Sequence, residues 1–468
     1  MSSPAASSTP DDRPDTPRSG PHRPDHSAEP AATTGSFLLP TLTGSIPVLE
    51  DPADAELAHR PTEDDYSHTR AKVTALVITV ITTLSAIGPL ATDMYIPAFP
   101  QVMRDIGTDS TWLQLTLTAF FVGMASGQVV AGPLSDRTGR RIPLIVGILL
   151  CLVGSIGCMI APSIWVLLPM RLLQGLGGGF GMVLGRAVLI DLTDGPELFR
   201  VTNIMQGVGG IAPIVAPLLG GLVLLVGEWR EVFGVIAAMS LISLIGVLWA
   251  IPESLPPERR HSGGFHQFLL NVRSLLGRRL FVTYLLVNGA SAFTLMAYVA
   301  SSSFVMQNML GLSATTYSIF FALNSTGMMT MAFVSARLSG RVQPRTLIGV
   351  GLSVVSVAVI ALVVGALFLG TPAWIVLPAF FLIVAPQGLI FGNGAAMASR
   401  EALDLAGTGS AMLGLGFSFS ASVAAPLVGI AGEATAVPMA ICMVVGIVSA
   451  LTAWVVAGRL RHTEAPAV

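Results

Sequence analysis

Twelve long apolar runs, separated by short polar segments, make up most of the chain after residue 70. A helix that crosses a bilayer needs ~20 mostly apolar residues, and each run is about that long. We place the spans at residues 73–96, 111–133, 142–161, 163–186, 202–226, 231–251, 281–304, 314–336, 346–369, 373–397, 407–430 and 435–457. The pattern predicts an all-α membrane protein with twelve transmembrane helices.

The twelve spans divide into two groups of six. A polar, proline-rich stretch follows the sixth span, and we therefore predict a six-helix half at 71–252, a cytoplasmic linker at 253–280 and a second half at 281–458. Apolar residues recur at helical spacing in the linker, with arginines around them, which favours an amphipathic helix on the membrane surface. Its apolar positions are Phe265, Phe268, Leu269, Val272, Leu275 and Leu276.

The two halves share a faint internal repeat. The loop after the second span reads GPLSDRTGRR at 132–141, and the loop after the eighth reads ARLSGRVQPR at 336–345. Two related halves around a site near the middle of the membrane are typical of secondary transporters. The repeat therefore favours a secondary transporter among the proteins with twelve spans.

Arginines are distributed unevenly between the two sets of alternate loops. One set holds most of them, whereas the other holds only Arg104 and Arg230. Because Lys and Arg concentrate in cytoplasmic loops, we predict that both termini are cytoplasmic. The expected location is a bacterial cytoplasmic membrane, crossed many times.

Residues 1–70 differ in composition from the rest of the chain. They contain twelve acids and five arginines, a net charge of −7, and are rich in Pro, Ser and Asp. Such a segment buries too little apolar surface to fold alone, so we predict a disordered acidic cytoplasmic tail whose partner is unknown. It lacks the apolar core of a secretory signal. Residues 459–468 are expected to form a second, short cytoplasmic tail.

Composition excludes several classes of protein. The chain is 52% hydrophobic and 11% charged, about half the charge of an ordinary soluble domain. Cys151, Cys158 and Cys442 lie inside predicted spans, and no Cys/His cluster has metal-ligand spacing. We expect no metal, no cofactor and no nucleic-acid partner. We expect a monomer embedded in the lipid bilayer.

Asp93, in the segment ATDMYIPAFP, is the only carboxylate that the pattern places within the bilayer. An ionisable residue is costly there and indicates function. If span 1 continues to about Met103, Asp93 lies ~15 Å and Arg171 ~10 Å from the outer surface, so they can meet. If span 1 ends at Tyr95, Asp93 is interfacial. Pro97 cannot donate to the carbonyl of Asp93, which predicts a kink.

The loop GPLSDRTGRR predicts a gate on the cytoplasmic side. Gly132 allows two helices to approach closely, and Gly139 allows a tight turn. Asp136 can pair with Arg140 or accept hydrogen bonds from a helix N-terminus, and Arg137 belongs to the same charged latch. An ordinary positive inner loop explains the arginines but not the glycines and the acid together.

The same loop resembles the signature G-x-L-x-D-R-x-G-R-R of the major facilitator superfamily. LPMRLLQGLGGG at 168–179 resembles that superfamily's fourth-span motif, and GIAPIVAPLLGG at 210–221 resembles its fifth-span motif of proton-driven exporters. Further segments resemble the Bcr/CflA type of twelve-span drug:proton antiporter: ATDMYIPAFP, WREVF, PESLP, GLIFGNGAAMA and AGTGSAMLG. The chain departs from the superfamily pattern at Gly340, which replaces the second loop acid, and at Ile190–Asp191, where Arg-Asp is expected.

Aromatic and polar residues within the spans are candidates for a substrate cavity. We predict that the cavity is lined by Met94, Tyr95, Phe121, Gln174, Tyr298, Asn324 and Gln387. Any one of these alone fits helix packing as well as substrate binding. The residues expected to bend the spans or bring them close together are Pro97, Pro213, Pro217, Gly220 and Gly221.

The resemblance implies the major facilitator fold and the export of small lipophilic or cationic compounds in exchange for protons. Asp93 is expected to carry the proton beside Arg171. The alternative is a facilitator for a metabolite such as a sugar or amino acid, in either direction, and the segment at 210–221 argues against it. A membrane enzyme or receptor would need a catalytic cluster or ligand-binding domain, and the spans contain neither.

Overall fold

The computed structural model describes residues 75–464, apart from 194, 261–263, 431, 433 and 434. The predicted tail at 1–70 lies outside the described residues. Twelve helices among those described are long and apolar enough to cross a membrane. The predicted all-helical fold with twelve spans is therefore confirmed.

The spans are numbered here by the bounds that the structure gives them. Spans 1 to 6 are Ala75–Ile106, Ser110–Thr138, Arg141–Met159, Ile164–Leu192, Arg200–Val226 and Trp229–Ala250. Spans 7 to 12 are Arg279–Met309, Ala314–Leu338, Pro344–Phe368, Ala373–Arg400, Leu403–Gly429 and Val437–Leu460. We call the end of the bundle that holds Ala75 and Leu460 the termini end, and the opposite end the far end.

Span 1 is longer than predicted and is broken in its middle. A helix runs over Ala75–Asp93, a 3-10 turn over Ile96–Ala98, and a second helix over Phe99–Ile106. Pro97 lies in the turn, where a proline has no N–H to continue the α-helical pattern. Asp93 therefore ends a helical segment inside the bundle, and the interfacial alternative is wrong.

Polar residues fix where several spans begin at the far end. The Asp109 carboxylate accepts a 2.9 Å hydrogen bond from the Trp112 backbone N–H, and Ser313 caps span 8 in the same way. Glu228 and Glu231 form a capping box at the start of span 6. These caps satisfy backbone donors that the first helical turn leaves unpaired.

Glycines bring the spans of the first half into backbone contact. A methyl group added to Gly175 of span 4 would overlap the carbonyl oxygen of Phe120 in span 2, and one on Gly177 would overlap span 3 at Gly147. Gly220 of span 5 packs in the same way against Met94. Small residues at such contacts are the usual means of close helix packing in membranes.

Four side-chain hydrogen bonds join the two halves at the far end. Side chains of one half donate to carbonyl oxygens of the other, in the pairs Thr111–Gly429, Gln114–Ala300, Thr118–Ser422 and Gln307–Pro97. In span 8, every buried residue lies at or before Gly327, in the half nearer the far end. The half of span 8 nearer the termini end is therefore only partly covered by other helices.

The segment between the halves contains a helix, Gly264–Leu276. Leu275 is buried, whereas Phe265 and Leu269 are each 48% exposed. Just after this helix, Arg278 forms two 2.6 Å hydrogen bonds with Asp404 at the start of span 11. These bonds raise the pKa of the Arg278 guanidinium. The linker is thus attached to the second half at the termini end.

Candidate functional site

A cavity of about 320 Å³ lies between the two halves. Both halves contribute to its wall, which is dominated by aromatic and methionine side chains. These are Phe120, Phe121, Met124, Met182, Met296, Tyr298, Phe321, Met328, Phe391 and Phe417. A cavity of this size and composition is typical of small-molecule sites.

Asp93 is the only charged side chain among the described residues that line this cavity. It is half-buried, and its Oδ1 lies 3.1 Å from the Thr92 hydroxyl. It occupies the last position of the first helical segment of span 1, directly before the turn that contains Pro97. The break in the helix thus places a carboxylate in a largely apolar cavity.

Arg171 is buried in the first half, away from the cavity. Its Nη1 donates to the carbonyl oxygen of Ala91 at 3.0 Å and to Oε1 of Gln174 at 2.6 Å. The guanidinium carbon lies 4.8 Å from the ring centroid of Tyr95 and 4.6 Å from that of Phe120. Its Nε and Nη2 have no hydrogen-bond partner among the described residues.

The predicted contact between Asp93 and Arg171 is absent, although the structure describes both residues. Arg171 meets span 1 at Ala91, two residues before Asp93. At roughly 100° per residue, positions two apart lie on nearly opposite faces of a helix. The depth estimate placed both residues at a similar depth in the membrane. It could not show whether Asp93 lies on the face of span 1 that meets Arg171.

The predicted cavity residues fall into two groups. Phe121 and Tyr298 line the cavity. Met94, Tyr95, Gln174, Asn324 and Gln387 do not, and this part of the prediction needs correction. Their side chains pack behind the wall or in a neighbouring space. The prediction was wrong for them because the sequence did not establish which face of each helix turns inward.

Three of these residues contact neighbouring helices instead of the cavity. Gln174 donates to the Ser155 hydroxyl at 2.8 Å while accepting from Arg171. Asn324 donates to the Tyr298 hydroxyl at 2.9 Å and so fixes a ring that faces the cavity. Met94 packs against Gly220 of span 5.

The predicted gating loop forms a hydrogen-bonded cluster at the termini end. Gly139 has a φ of 93°, and the Arg140 side chain bonds to Asp136 at 2.7 Å and to Asp191 at 3.1 Å. The Glu253 carboxylate accepts from the Arg140 backbone N–H at 2.7 Å. Asp191 therefore pairs despite the departure from the expected motif.

Two other loop residues behave differently. No atom of the described residues lies within 4 Å of a methyl group added to Gly132, so the predicted close helix approach is absent in this conformation. Arg137 is exposed at the end of span 2.

Pro213 and Pro217 lie inside one uninterrupted helix, Gly195–Val226, and Pro213 lines the cavity.

The Major Facilitator Superfamily family model matches residues 81–426. This range covers most of the chain and both halves. The chain belongs to the Major Facilitator Superfamily. It is therefore a multi-pass membrane transporter, and the resemblance seen in the sequence motifs is confirmed.

Curated relatives of this facilitator include transporters associated with drug resistance. An uncharacterized MFS-type transporter of Bacillus subtilis, YdgK, is 32% identical over 79% of this chain and 92% of its own length. A bicyclomycin resistance protein homolog of Haemophilus influenzae is 28% identical over 73% of this chain and 86% of that protein. The multidrug resistance protein MdtL of Escherichia coli is 29% identical over 55% of this chain and 65% of its own length.

Solved structures show the same fold at low sequence identity. The xylose transporter XylE of Escherichia coli, in a partially occluded inward-open conformation, aligns with a TM-score of 0.61 at 14% identity and covers 81% of this chain and 97% of its own. A bacterial homologue of the human lysosomal transporter Spinster, inward-facing and occupied, aligns with a TM-score of 0.62 at 16% identity. The alignment covers 84% of this chain and 98% of that chain. These similarities support the facilitator architecture.

Several residues of this facilitator's cavity and loop were absent from the predicted sites. In the cavity they include Met182, Met296, Phe391, Phe417 and Gln128, and in the loop cluster Glu253 and Asp191. Gln128 carried a usable signal, since a polar residue in an apolar span needs a reason. The phenylalanines and methionines carried none, because the same residue types also face lipid.

Proposed function

We propose that this transporter exports small lipophilic or cationic compounds in exchange for protons. Asp93 is the residue that binds the proton and the substrate in turn. The placement of Asp93 carries this proposal: it is the one charged side chain among the described lining residues of a cavity rich in aromatic and methionine side chains.

The cavity wall favours a cationic or apolar substrate. Aromatic faces attract cations, and methionine sulfur adapts to ligands of irregular shape. A deprotonated Asp93 adds attraction for a cation and repels an anion. A sugar would need many hydrogen-bonding groups for its hydroxyls, whereas this wall is largely apolar.

Proton coupling follows from competition at one carboxylate. Deprotonated Asp93 holds the substrate; after the halves rock, a proton neutralises Asp93 and the substrate leaves. A proton that crosses about 100 mV releases ~2.3 kcal/mol, and each unit of pH difference adds ~1.4 kcal/mol. For an uncharged compound both terms apply and correspond to a gradient of roughly several hundredfold. A monovalent cation exchanged for one proton moves no net charge, so only the pH term applies, about tenfold per pH unit.

The proposed orientation places the termini end in the cytoplasm of a bacterium, because most loop arginines lie at that end. The cavity of this structure then faces the cytoplasm, where an exporter collects its substrate. We also propose that a monomer suffices, since both walls of the cavity come from one chain.

Transport in everted membrane vesicles tests the proposal. An imposed pH gradient, acid inside, should drive ethidium uptake by the wild type, and Asp93→Asn should reduce uptake to that of vesicles without the protein. Glu197→Gln, an exposed carboxylate outside the cavity, is the matched control and should transport normally. Unchanged uptake by a folded Asp93→Asn variant would exclude this role. Uptake of xylose or amino acids instead would favour the metabolite alternative.

A further inference from the structure

A second cavity, of about 370 Å³, lies between spans 8 and 10 on the termini side of the central cavity. Met328 and Phe391 line both spaces, so the two cavities adjoin at these side chains, and we call the second one the vestibule. Its other walls include Ser335, Gln387 and Asn393.

Gln387 is the unusual residue of this vestibule. Its side chain is 1% exposed, yet neither amide atom has a hydrogen-bond partner among the described residues. Leaving a buried polar group unpaired costs ~1–3 kcal/mol. A core position with no other role would favour an apolar residue there. The unpaired amide indicates that a partner arrives at another stage of the protein's work.

The backbone beside Gln387 is held by a close contact between two spans. Span 10 is interrupted between Val384 and Gln387, and the second helical segment begins at Gln387 itself. A methyl group added to the next residue, Gly388, would overlap the carbonyl oxygen of Met328 in span 8. Spans 8 and 10 are thus in backbone contact directly beside the unpaired amide.

Most of the vestibule wall is apolar, and the polar side chains that it contains carry no charge. Asn393 donates to the Ser335 hydroxyl and to the carbonyl oxygen of Leu389, both at 2.7 Å. No charged side chain among the described residues lines this space. A ligand group that fits here is neutral and forms hydrogen bonds, such as an amine on an aromatic ring, an amide or a hydroxyl.

We infer that the vestibule is a second subsite, in which Gln387 binds a neutral hydrogen-bonding group of a compound whose cationic part is held near Asp93. This inference rests on the proposed export of cationic compounds and narrows their class. Preferred substrates carry both a delocalised cation and an uncharged donor or acceptor at the other end of the molecule.

Equilibrium dialysis with purified protein tests the inference, using ethidium and the same phenanthridinium ring without its two amino groups. Both compounds are cations of the same shape, and only ethidium offers N–H donors. The wild type should bind ethidium about fivefold more tightly, as one hydrogen bond allows. Gln387→Met should abolish this preference, and Gln387→Asn, whose amide is one methylene shorter, should keep part of it. Gln343→Met, an exposed glutamine of the same half, should leave the preference unchanged.

Binding of the amine-free compound shows whether each variant is folded. Equal affinity for it in the wild type and Gln387→Met, with weaker ethidium binding in the variant, supports the subsite. An undiminished ethidium preference in Gln387→Met, or the lack of any preference in the wild type, overturns it. The binding measurement uses one pH and no gradient, so its result does not depend on proton coupling. The subsite can therefore be supported even if Asp93→Asn vesicles still transport, and it can be refuted even if they do not.

Discussion

Arg171 donates a 3.0 Å hydrogen bond to the carbonyl oxygen of Ala91, two residues before the cavity carboxylate Asp93. The guanidinium therefore fastens span 4 to span 1 just before the helix breaks. The Ala91 carbonyl, the Gln174 amide oxygen and the surrounding aromatic rings stabilise its charge. We conclude that Arg171 fixes the backbone that positions Asp93.

Arg171→Lys is expected to impair transport, although it keeps the charge. An ammonium cannot lie flat between the rings of Tyr95 and Phe120 while bonding to Ala91 and Gln174. The loss of about 2 kcal/mol should lower the melting temperature and reduce ethidium transport at least tenfold. Arg186→Lys, on an exposed face of the same span, is the control and should behave as the wild type. A fully active Arg171→Lys protein would contradict this role.

Gly175→Ala and Gly178→Ala should have opposite consequences, although they lie three residues apart. A methyl group on Gly175 overlaps the Phe120 carbonyl oxygen, whereas no described atom lies within 4 Å of one on Gly178. We expect Gly175→Ala to destabilise the protein by ~1–3 kcal/mol. Gly178→Ala should fold normally and change substrate affinity, since Gly178 lines the cavity. Thermal unfolding in detergent and ethidium binding distinguish the two effects, and equal melting temperatures would refute the packing argument.

Gly139→Ala is expected to reduce transport more than Gly340→Ala does. Both glycines have positive φ, 93° and 81°, so alanine is strained at either. An added methyl group at Gly139 also meets the Glu253 carboxylate, whereas nothing in the described part of the chain lies within 4 Å of one at Gly340. Initial rates in vesicles give the comparison. Equal losses would show that the Glu253 contact has no part in gating.

A cysteine pair across the far end should stop transport reversibly. A Cβ at Gly429 lies 3.1 Å from the Thr111 Cα, close enough for a disulfide after small adjustments. Oxidised Thr111→Cys/Gly429→Cys should lose at least nine-tenths of its transport, because the halves cannot separate there, and a reductant should restore it. Each single cysteine variant serves as control. Full transport by the cross-linked protein would mean that this contact need not open.

The span count was predictable because each span is a long apolar run, and the break in span 1 followed from Pro97. The side of each helix that turns towards the interior was not predictable. Met94 and Tyr95 directly follow Asp93, yet their side chains are buried in the core while Asp93 lines the cavity. Membrane helices are apolar on their lipid-facing and protein-facing sides, so periodicity alone does not reveal which side turns inward.

The charged loop was predicted in part. The pairing of Asp136 with Arg140 could be read from adjacent helical turns. Glu253 is more than a hundred residues away from Arg140 in sequence, and only the packing of span 6 beside span 3 brings them together. Distant pairings of this kind depend on the whole bundle, whereas local ones depend on a few residues.

The hydrogen bonds that join the halves at the far end pair threonine or glutamine side chains with main-chain carbonyl oxygens. Neither partner gains or loses a proton near neutral pH, so acidification leaves these four bonds as they are. A carbonyl oxygen is also present whatever side chain occupies its position. The residues that supply the carbonyl oxygens can therefore be replaced without losing the acceptors, whereas the donating positions must keep a hydroxyl or an amide.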